Sequence, residues 1–533
     1  MKKIYLLFSF ISVFFIHVIK TNAQVASQDS LALVDLYDST NGSSWTTKTN
    51  WLSGNVSTWY GITISSNRVT GISMNNNNIV GAIPSSIGNL SALTSIYLNS
   101  NKITSLPEEL SNISTLTIMR MESNQFSFPF FVGKMTQLIE LDLSGNKFSI
   151  SFPDTLYKLT NAKMINIGSC SISGSLDSRI SQWPKLTWMY FGYNNLSGAI
   201  PSNIGMLTNM TFLELNNNQL SGSLPTSIGN LSTKLSYLRL NNNKFNGHIP
   251  DTLYSLLSLK ELNLHDNYFS GSVSPLIAKL TSLTTLYLYN DSLVGTFPPS
   301  IDSLVNLQYL EINNNMFDSF PDISALKNIS YLYLQDNKFT FEDIEPNISV
   351  ATSSFTYSPQ DSVKSNLFVN LNSGDTLLIT STIGGTINAY QWYKNGVAIS
   401  GATDDTLKIL NVTALNSGAY SCKITNAIAS ALKLYRKSVF VTVSSITSIT
   451  PIEIRNQLNV YPNPSENGIY NLSDFNTNKM GNILSVFNIT GEKIMSISIG
   501  KDTKQIDLST LSKGTYIATI ENENGKQTIK IIR

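Results

Sequence analysis

The sequence contains 533 residues, of which 42% are hydrophobic and 13% are charged, with 36 Lys and Arg against 35 Asp and Glu. A chain of this length is too long to fold around one hydrophobic core, which predicts three or four folded units. The near-neutral charge does not favour nucleic-acid binding. Cys170 and Cys422 are its two cysteines, so a small disulfide-bonded scaffold is excluded.

Residues 1–23 have the pattern of a secretory signal peptide. Lys2 and Lys3 precede an apolar stretch from Ile4 to Ile19, and small residues lead to Ala23. A basic start, an apolar run and a small-residue exit are typical of cleaved export signals. A membrane anchor is the alternative, but the apolar run is short and polar residues interrupt it. Cleavage of this segment would remove three lysines, so the mature chain would carry a net charge of −2.

Residues 24–68 are predicted to cap the domain that follows. A helical pattern from Asp29 to Tyr37 precedes three tryptophans, Trp45, Trp51 and Trp59. The open end of a repeat domain exposes hydrophobic core and has to be covered. We expect the tryptophans to provide this cover rather than a surface for a ligand.

Residues 69–346 are predicted to form a solenoid with a C-terminal cap. The pattern L-x-x-L-x-L-x-x-N occurs twelve times, at intervals of 22 to 25 residues. The copies begin at Val69, Leu93, Leu116, Leu138, Ala162, Leu186, Met210, Leu235, Leu259, Leu283, Leu307 and Ile329. Such a period indicates units that bury their apolar faces only against their neighbours. Phe339, Phe341 and Ile344 are expected to close the last repeat.

The last position of the repeat pattern predicts a ladder of buried side chains. Ten of its twelve positions are Asn, and the other two are Cys170 and Asp291. A buried Asn can satisfy backbone groups of its own turn and of the adjacent turn. We therefore interpret Cys170 as a buried structural thiol rather than a nucleophile, and Asp291 as a structural carboxylate.

The second half of many repeats reads G-x-I-P-x-x-I-G-x-L, as from Gly81 to Leu90. With this motif, residues 24–346 resemble the leucine-rich-repeat family, in the longer variety known from plant receptors and bacterial surface proteins. The resemblance implies an α/β-type leucine-rich-repeat solenoid with a parallel concave β-sheet and an irregular convex side. Plant relatives brace the N-terminal cap with paired cysteines, which this chain lacks.

Aromatic and charged residues occupy the expected concave positions from the sixth repeat onwards, whereas earlier repeats present small or charged groups. Exposed tyrosine and tryptophan combine apolar area with a polar group, as protein or glycan recognition requires. The predicted ligand-binding residues are Trp188, Tyr190, Tyr193, Phe212, Glu214, Tyr237, Arg239, Glu261, His265, Tyr287, Tyr289, Tyr309, Tyr331 and Tyr333. The alternative is that these aromatics stack along neighbouring strands and stabilise the sheet. We favour binding, because neighbouring repeats would align them into one contiguous patch.

Residues 356–444 show short alternating strands and resemble an immunoglobulin-like sandwich. The resemblance makes Trp392 its core tryptophan and Tyr420, two residues before Cys422, its tyrosine corner. The partner cysteine of this family is missing, and Ser381 lies near its place. Cys422 is therefore expected to be a buried free thiol.

Residues 445–457 are predicted to be a linker, and residues 458–533 a third domain. Val460 to Pro464 reads V-Y-P-N-P, and the segment ends K-I-I-R. With its alternating strands and turns, this segment resembles the type A C-terminal sorting domain of type IX secretion substrates in Bacteroidetes. The resemblance implies a second all-β sandwich, export across the outer membrane, removal of the domain, and release or attachment to surface lipopolysaccharide. A third adhesive β-domain is the alternative.

These patterns predict a secreted or outer-membrane-surface binding protein, possessing no enzymatic activity, that recognises protein or carbohydrate through the concave face. We expect no catalytic residues, no cofactor and no metal, because His248 and His265 lack a nucleophile or a metal-ligand set. A structural surface spacer without a ligand, and a polysaccharide-binding accessory to secreted hydrolases, are the alternatives. Alanine substitutions of concave tyrosines would separate a receptor from a spacer.

Overall fold

The structure is a computed structural model, and it describes residues 25–444, 459–473, 482–500, 503–522 and 525–533. The chain divides into two compact units, Met1–Ser444 and Ser445–Arg533. The predicted signal peptide and linker lie outside the described residues. No helix in the described ranges is long and apolar enough to cross a membrane.

An N-terminal cap covers the start of the solenoid. Its elements are the helix Ser27–Ser39, the 3-10 turns Gly42–Ser44 and Val56–Thr58, and the strand Ile62–Ser65. Trp45, Trp51 and Trp59 are buried, as predicted. Their ring centroids lie 4.8 Å apart from Trp45 to Trp51 and from Trp51 to Trp59. The aromatic cluster therefore packs the interior of the cap.

The concave face is one sheet of fourteen strands. Its first strand is antiparallel to the second, and all later strands run parallel. In order, the strands are Ile62–Ser65, Arg68–Ser73, Ser95–Tyr97, Ile118–Arg120, Glu140–Asp142, Met164–Asn166, Trp188–Tyr190, Phe212–Glu214, Tyr237–Arg239, Glu261–Asn263, Thr285–Tyr287, Tyr309–Glu311, Tyr331–Tyr333 and Ser354–Thr356. The middle residue of each three-residue strand in the repeats is buried in the core. Alternation along a strand therefore turns its first and third residues towards the concave surface.

Short strands and single 3-10 turns build the other sides of the solenoid. One lateral sheet contains Val80–Ala82 and Lys102–Ser105, and another contains Ser173–Gly174, Asn195–Gly198, Gln219–Gly222, Lys244–Gly247, Tyr268–Gly271, Ser292–Thr296 and Met316–Ser319. The 3-10 turns are Ser85–Asn89, Glu108–Asn112, Phe130–Lys134, Asp154–Lys158, Ser178–Gln182, Ser202–Met206, Thr226–Asn230, Asp251–Ser255, Pro275–Lys279 and Pro299–Ser303. Phe341–Ile344 and Glu345–Asn347 form the last helical turns. The predicted leucine-rich-repeat fold is confirmed.

The asparagine ladder forms as the repeat pattern predicts. Asn267 donates from Nδ2 to the carbonyl oxygens of Leu240 and Leu264, at 3.1 and 2.8 Å, and accepts from the backbone N–H of Phe245 at 3.0 Å. At the ladder position of Cys170, Sγ lies 3.2 Å from the carbonyl oxygen of Leu143. The thiol thus occupies the place of an amide donor and has a structural contact.

Both thiols are expected to be unreactive in the folded protein. Cys170 and Cys422 are fully buried and free, and burial raises the pKa of Cys170 to about 12 and that of Cys422 to about 11. Because the thiolate is the reactive form, Ellman's reagent at pH 8 should label neither cysteine before unfolding and both after it. Labelling of the native protein would contradict this assignment.

Residues 367–444 complete the first unit with a two-sheet β-sandwich. One sheet contains Leu367–Asn372, Lys433–Ser444, Gly418–Asn426, Asn388–Lys394 and Val397–Ala398, and the other contains Leu377–Thr380 and Thr406–Ile409. Ala414–Asn416 is a 3-10 turn. Trp392 pairs in register with Cys422, and the Tyr420 hydroxyl donates to the carbonyl oxygen of Asn416 at 2.7 Å.

The sandwich is fastened to the end of the solenoid through Glu345. This carboxylate accepts from the backbone N–H of Thr386 at 2.8 Å and from its hydroxyl at 2.8 Å, and it also accepts from the Asn426 amide. Gly385 approaches Glu345 so closely that a Cβ would lie 2.9 Å from its Oε1. The solenoid and the sandwich therefore belong to one packed body.

The second unit is an all-β domain with its own core. Its three-stranded sheet contains Asn459–Tyr461, Ile469–Ser473 and Gln505–Asp507, and its four-stranded sheet contains Lys493–Ile499, Asn482–Phe487, Thr515–Asn522 and Gly525–Ile532. Asn463 donates from Nδ2 to the carbonyl oxygen of Lys530 at 2.6 Å and accepts from the backbone N–H of Ile532 at 2.8 Å. The V-Y-P-N-P motif thus holds the last strand.

Candidate binding face

The predicted binding residues lie along the concave sheet over seven consecutive repeats. In the strand Trp188–Tyr190, Met189 is buried whereas Trp188 is 38% exposed. Parallel pairing in register places Trp188 beside Phe212 and Tyr190 beside Glu214. The same register continues to the strand Tyr331–Tyr333, so equivalent positions of successive repeats form continuous rows.

A first aromatic group lies in the sixth to eighth repeats. The ring centroids of Tyr190 and Phe212 are 4.7 Å apart, and those of Phe212 and Tyr237 are 5.1 Å apart. The Arg239 guanidinium lies 5.1 Å from the Phe212 ring centroid. The faces of these rings are therefore largely in contact with one another or with the arginine.

A second aromatic group lies in the ninth to twelfth repeats. Tyr309 and Tyr331 stack at 4.9 Å with an interplanar angle of 7°. His265 and Tyr289 stack at 4.1 Å with an angle of 11°. The strand Glu261–Asn263 and Thr285 separate this group from the first. The aromatics thus form two groups joined by a polar strip, where the repeat alignment predicts one patch.

Arg239 is held by two glutamates within the face. It makes a two-point contact with Glu261, at 2.7 and 2.8 Å, and a longer contact of 3.3 Å with Glu214. The hydrogen bond with Glu261 raises the pKa of Arg239, whereas burial raises the pKa of Glu214. The guanidinium therefore serves mainly as an internal counter-ion. It positions the two carboxylates.

Burial shifts the pKa of several titratable groups of the face. It raises the pKa of Tyr287 and of Tyr289 to about 12, so both hydroxyls stay protonated. Burial also lowers the pKa of His265, whose Nδ1 lies 2.6 Å from Asp266 Oδ2. That contact makes Nδ1 the protonated nitrogen of the neutral ring. Glu311 has its pKa raised by burial.

Three asparagine amides that the sequence pattern did not single out lie buried along the same sheet. Asn216, Asn241 and Asn263 are buried, and the Oδ1 atom of each has no hydrogen-bond partner among the described residues. A buried oxygen without a donor is costly. Asn is so frequent in these repeats that the sequence alone does not distinguish these three residues from the other asparagines. The useful signal is their position, which is two residues after a concave strand for Asn216 and Asn241 and the last residue of a strand for Asn263.

The described residues contain no group of three His, Cys, Asp or Glu side chains arranged to hold a metal ion. His265 lies on the concave face, whereas His248 donates from Nδ1 to the Ser270 carbonyl oxygen, 3.0 Å away, beside the lateral strand. The two histidines thus lie on different sides of the solenoid.

Family comparisons agree with two parts of the chain. Residues 185–342 match the family described as leucine-rich repeat region, and residues 63–126 and 137–159 match two further leucine-rich-repeat families. Residues 459–533 match the family described as the secretion system C-terminal sorting domain. These matches confirm the predicted repeats and sorting domain. No curated protein sequence matches the chain at a significant level.

Solved leucine-rich-repeat structures are similar to part of the chain. A TDR receptor is 29% identical with a TM-score of 0.46, over 53% of this chain and 54% of that chain. The ectodomain of GASSHO1/SCHENGEN3 from Arabidopsis thaliana, in complex with CASPARIAN STRIP INTEGRITY FACTOR 2, is 27% identical with a TM-score of 0.46, over 56% and 38%. A Leptospira interrogans LRR protein is 27% identical with a TM-score of 0.42, over 51% and 75%. The chain spans about half or less of the length of the first two.

Proposed function

We propose that the protein is a non-enzymatic recognition protein, exported by the type IX secretion system, that binds an extracellular partner protein with the concave face of its solenoid. The observation that carries this proposal is the concentration of aromatic rings and carboxylates on seven consecutive repeats, from Trp188 to Tyr333. Large rigid side chains with polar groups are enriched in protein interfaces.

The orientation of the rings supports a protein ligand over a carbohydrate. Stacking of a sugar on an aromatic side chain uses the open face of the ring. In Tyr309, Tyr331 and Tyr289, at least one ring face is covered by a neighbour at 4.9 or 4.1 Å. A sugar therefore has at most one free face of each ring to stack on, whereas the tyrosine hydroxyls suit peptide hydrogen bonds.

A purely structural role accounts for part of the aromatic set. Ring pairs along neighbouring strands stabilise a sheet, and this explains Phe212 with its neighbours Tyr190 and Tyr237. Stability does not explain Trp188 and Tyr193, which are 38% and 59% exposed. Exposed aromatic rings make few contacts within the protein, and a bound partner would supply the missing contact area.

The sorting domain also supports a recognition role outside the cell. The sorting domain at residues 459–533 is the feature expected of a protein that passes the outer membrane, and we propose release or attachment to surface lipopolysaccharide after its removal. The packed sandwich within residues 356–444, with Trp392 beside Cys422, supports an immunoglobulin-like domain that spaces the solenoid from the surface.

The test is binding of the full chain to an array of extracellular proteins and glycans. The variant Tyr287→Ala/Tyr289→Ala/Tyr333→Ala should lose at least about tenfold in affinity for the bound partner, since interface aromatics commonly contribute this much or more. Tyr268→Ala is the matched control, because Tyr268 is 61% exposed but lies on a lateral strand. It should change affinity less than about twofold.

The outcomes separate the functional classes. Unchanged affinity in the triple variant, at unchanged thermal stability, would overturn recognition by this face. A full chain that binds no protein and no glycan supports the spacer instead. Retention only on polysaccharides supports the accessory role.

A further inference from the structure

A cavity with several lysines lies where the last repeat meets the β-sandwich. Its volume is about 390 Å³. Lys338, Lys364 and Lys437 line this junction cavity together with Asp361, so the lining carries three positive charges and one negative charge. Only 13% of the residues of the chain are charged. The cavity is therefore a local excess of positive charge, which favours an anionic ligand.

Backbone hydrogen bonds bring the lysines together from three segments of the chain. The Asp361 N–H donates to the Asn337 carbonyl oxygen at 2.7 Å, which places the segment of Asp361 beside that of Lys338. The Lys437 N–H donates to the Val363 carbonyl oxygen at 3.0 Å. The main chain thus determines where the cavity lies.

Lys364, which follows Val363, has a backbone conformation that is unfavourable for lysine. Its φ angle is 62°, in the left-handed region. Most of the other described non-glycine residues with positive φ are Asn, Asp or Ser, and Asn and Asp tolerate this conformation better than lysine does. A lysine here costs conformational free energy and supplies a charge to the cavity. Asparagine can therefore replace it without added strain.

The positive charges are only partly neutralised within the protein. Asp361 Oδ2 lies 4.0 Å from Lys437 Nζ, and the two side chains are 50% and 43% exposed. A contact of this length and exposure contributes little. Lys338 and Lys364 form no ion pair with any described residue. An anion in the cavity would therefore meet ammonium groups that have no carboxylate partner.

Two further charges lie next to the lining, and they have opposite signs. Arg436, which precedes Lys437 in the chain, is 7% exposed. The Glu342 carboxylate lies so close to Gly384 that a Cβ on this glycine would overlap it, and Gly384 follows Ile383, which lines the cavity. Because these two charges offset each other, the lining itself sets the sign of the charge.

The polar and apolar parts of the lining indicate the class of ligand. Thr340 and Ser362 contribute side chains with hydroxyls, and Val363 and Ile383 contribute apolar ones. Lysine is a common phosphate ligand, and small-molecule sites have volumes of roughly 300 to 1,000 Å³. The cavity thus has room for more than a phosphate ion. A phosphate group attached to a sugar ring would place its charge among the lysines and its ring on the apolar side chains.

We propose that the junction cavity binds a phosphate group carried by a sugar, with the three lysines around the phosphate. This site goes beyond the proposed function, because it does not use the concave face. Lys338 lies on the lateral side of the solenoid, where its backbone N–H donates to the carbonyl oxygen of Phe317 in the lateral strand Met316–Ser319. The site would attach the protein to a phosphorylated saccharide while the concave face binds its partner.

Isothermal titration calorimetry of the full chain with glucose 6-phosphate tests the proposal. Glucose has the same ring without the charge, and inorganic phosphate has the charge without the ring. We expect glucose 6-phosphate to bind saturably, and glucose and inorganic phosphate each to bind about tenfold or more weakly. Binding should weaken as the salt concentration rises, because salt screens partly exposed charges.

Lys364→Asn is the decisive variant, because it removes a charge from the lining and relieves the backbone. It should weaken the binding of glucose 6-phosphate about tenfold, while the melting temperature stays equal or rises. Lys437→Gln should weaken binding several-fold. Lys433→Gln is the matched control, since Lys433 is exposed on the same strand, Lys433–Ser444, but does not line the cavity. It should leave affinity within about twofold.

Asp361→Asn gives a readout that does not depend on loss. It removes the carboxylate of the lining but keeps the Oδ1 atom that accepts from the Ser362 N–H at 2.7 Å. The affinity for glucose 6-phosphate should rise several-fold. No saturable binding, equal binding of glucose or of inorganic phosphate, or a Lys364→Asn variant that binds like the unmodified chain would each overturn the site. Because the probes are small molecules, the result is independent of partner capture by the concave face.

Discussion

Replacing Asp291 with asparagine should raise the stability of the solenoid by about 2 to 3 kcal/mol at pH 7. Asp291 occupies a ladder position at which ten other repeats have Asn. Its Oδ1 accepts from the backbone N–H of Phe269 at 2.8 Å, but its buried Oδ2 has no partner among the described residues. In neighbouring repeats, Asn267 and Asn315 place an amide N–H at this point, directed at backbone carbonyl oxygens.

The stability gained by Asp291→Asn should increase as the pH rises. Burial raises the pKa of Asp291 to about 8, against about 3.9 in an unfolded chain. Below pH 4 both states are protonated and the carboxyl does not reduce stability. Between pH 4 and pH 8 the unfolded state releases its proton while the folded state keeps it, so stability falls as pH rises. The full shift would give about 4 kcal/mol at pH 7, and partial exposure reduces this figure.

Denaturant unfolding of the full chain at pH 4, 6 and 8, for the unmodified protein and for Asp291→Asn, measures the effect. The difference should be small at pH 4 and should increase to pH 8. Asp336→Asn is the matched control, since this exposed carboxylate directly precedes the ladder position of Asn337. It should show no such trend. A difference that is independent of pH would show that Asp291 is ionised in the folded state.

The repeat pattern predicted most of the fold, because each position of the pattern has one structural role. Leu186, Met189 and Phe191 are buried at the positions where L-x-x-L-x-L predicts inward side chains, and Asn194 accepts from the backbone of the preceding repeat. The strands Ile62–Ser65 and Ser354–Thr356 are different. They carry no repeat pattern and join the sheet because its end strands offer unpaired backbone groups.

The sequence predicted only part of the candidate binding face. Row positions follow from the period, so the aromatic residues from Trp188 to Tyr333 could be placed on one surface. How side chains meet within the rows could not be derived, because it depends on rotamers. The two-point pairing of Arg239 with Glu261 and the stacking of His265 on Tyr289 are of this kind.

Replacing Asp29 with alanine should destabilise the N-terminal cap by about 3 kcal/mol. The Asp29 side chain is fully buried and accepts from Arg68 Nε and Nη2, at 3.0 and 2.9 Å, and from the backbone N–H of Val69 at 2.8 Å. It therefore connects the cap helix Ser27–Ser39 with the first strand of the repeats. Loss of the carboxylate leaves the Val69 N–H buried without an acceptor, whereas Arg68, which is 33% exposed, can still reach water.

Hydrogen exchange of residues 25–73 and the denaturant midpoint of the full chain measure this loss. Asp154→Ala is the matched control, because its 2.8 Å contact with Arg179 is a surface ion pair in which Asp154 is 68% exposed. Exposed pairs contribute about 0 to 1 kcal/mol, so this variant should resemble the unmodified chain. Asp29→Ala should exchange faster throughout the cap and leave later repeats protected, since each repeat packs only against its neighbours. Equal exchange in the two variants would show that the aromatic cluster of Trp45, Trp51 and Trp59 holds the cap without the buried carboxylate.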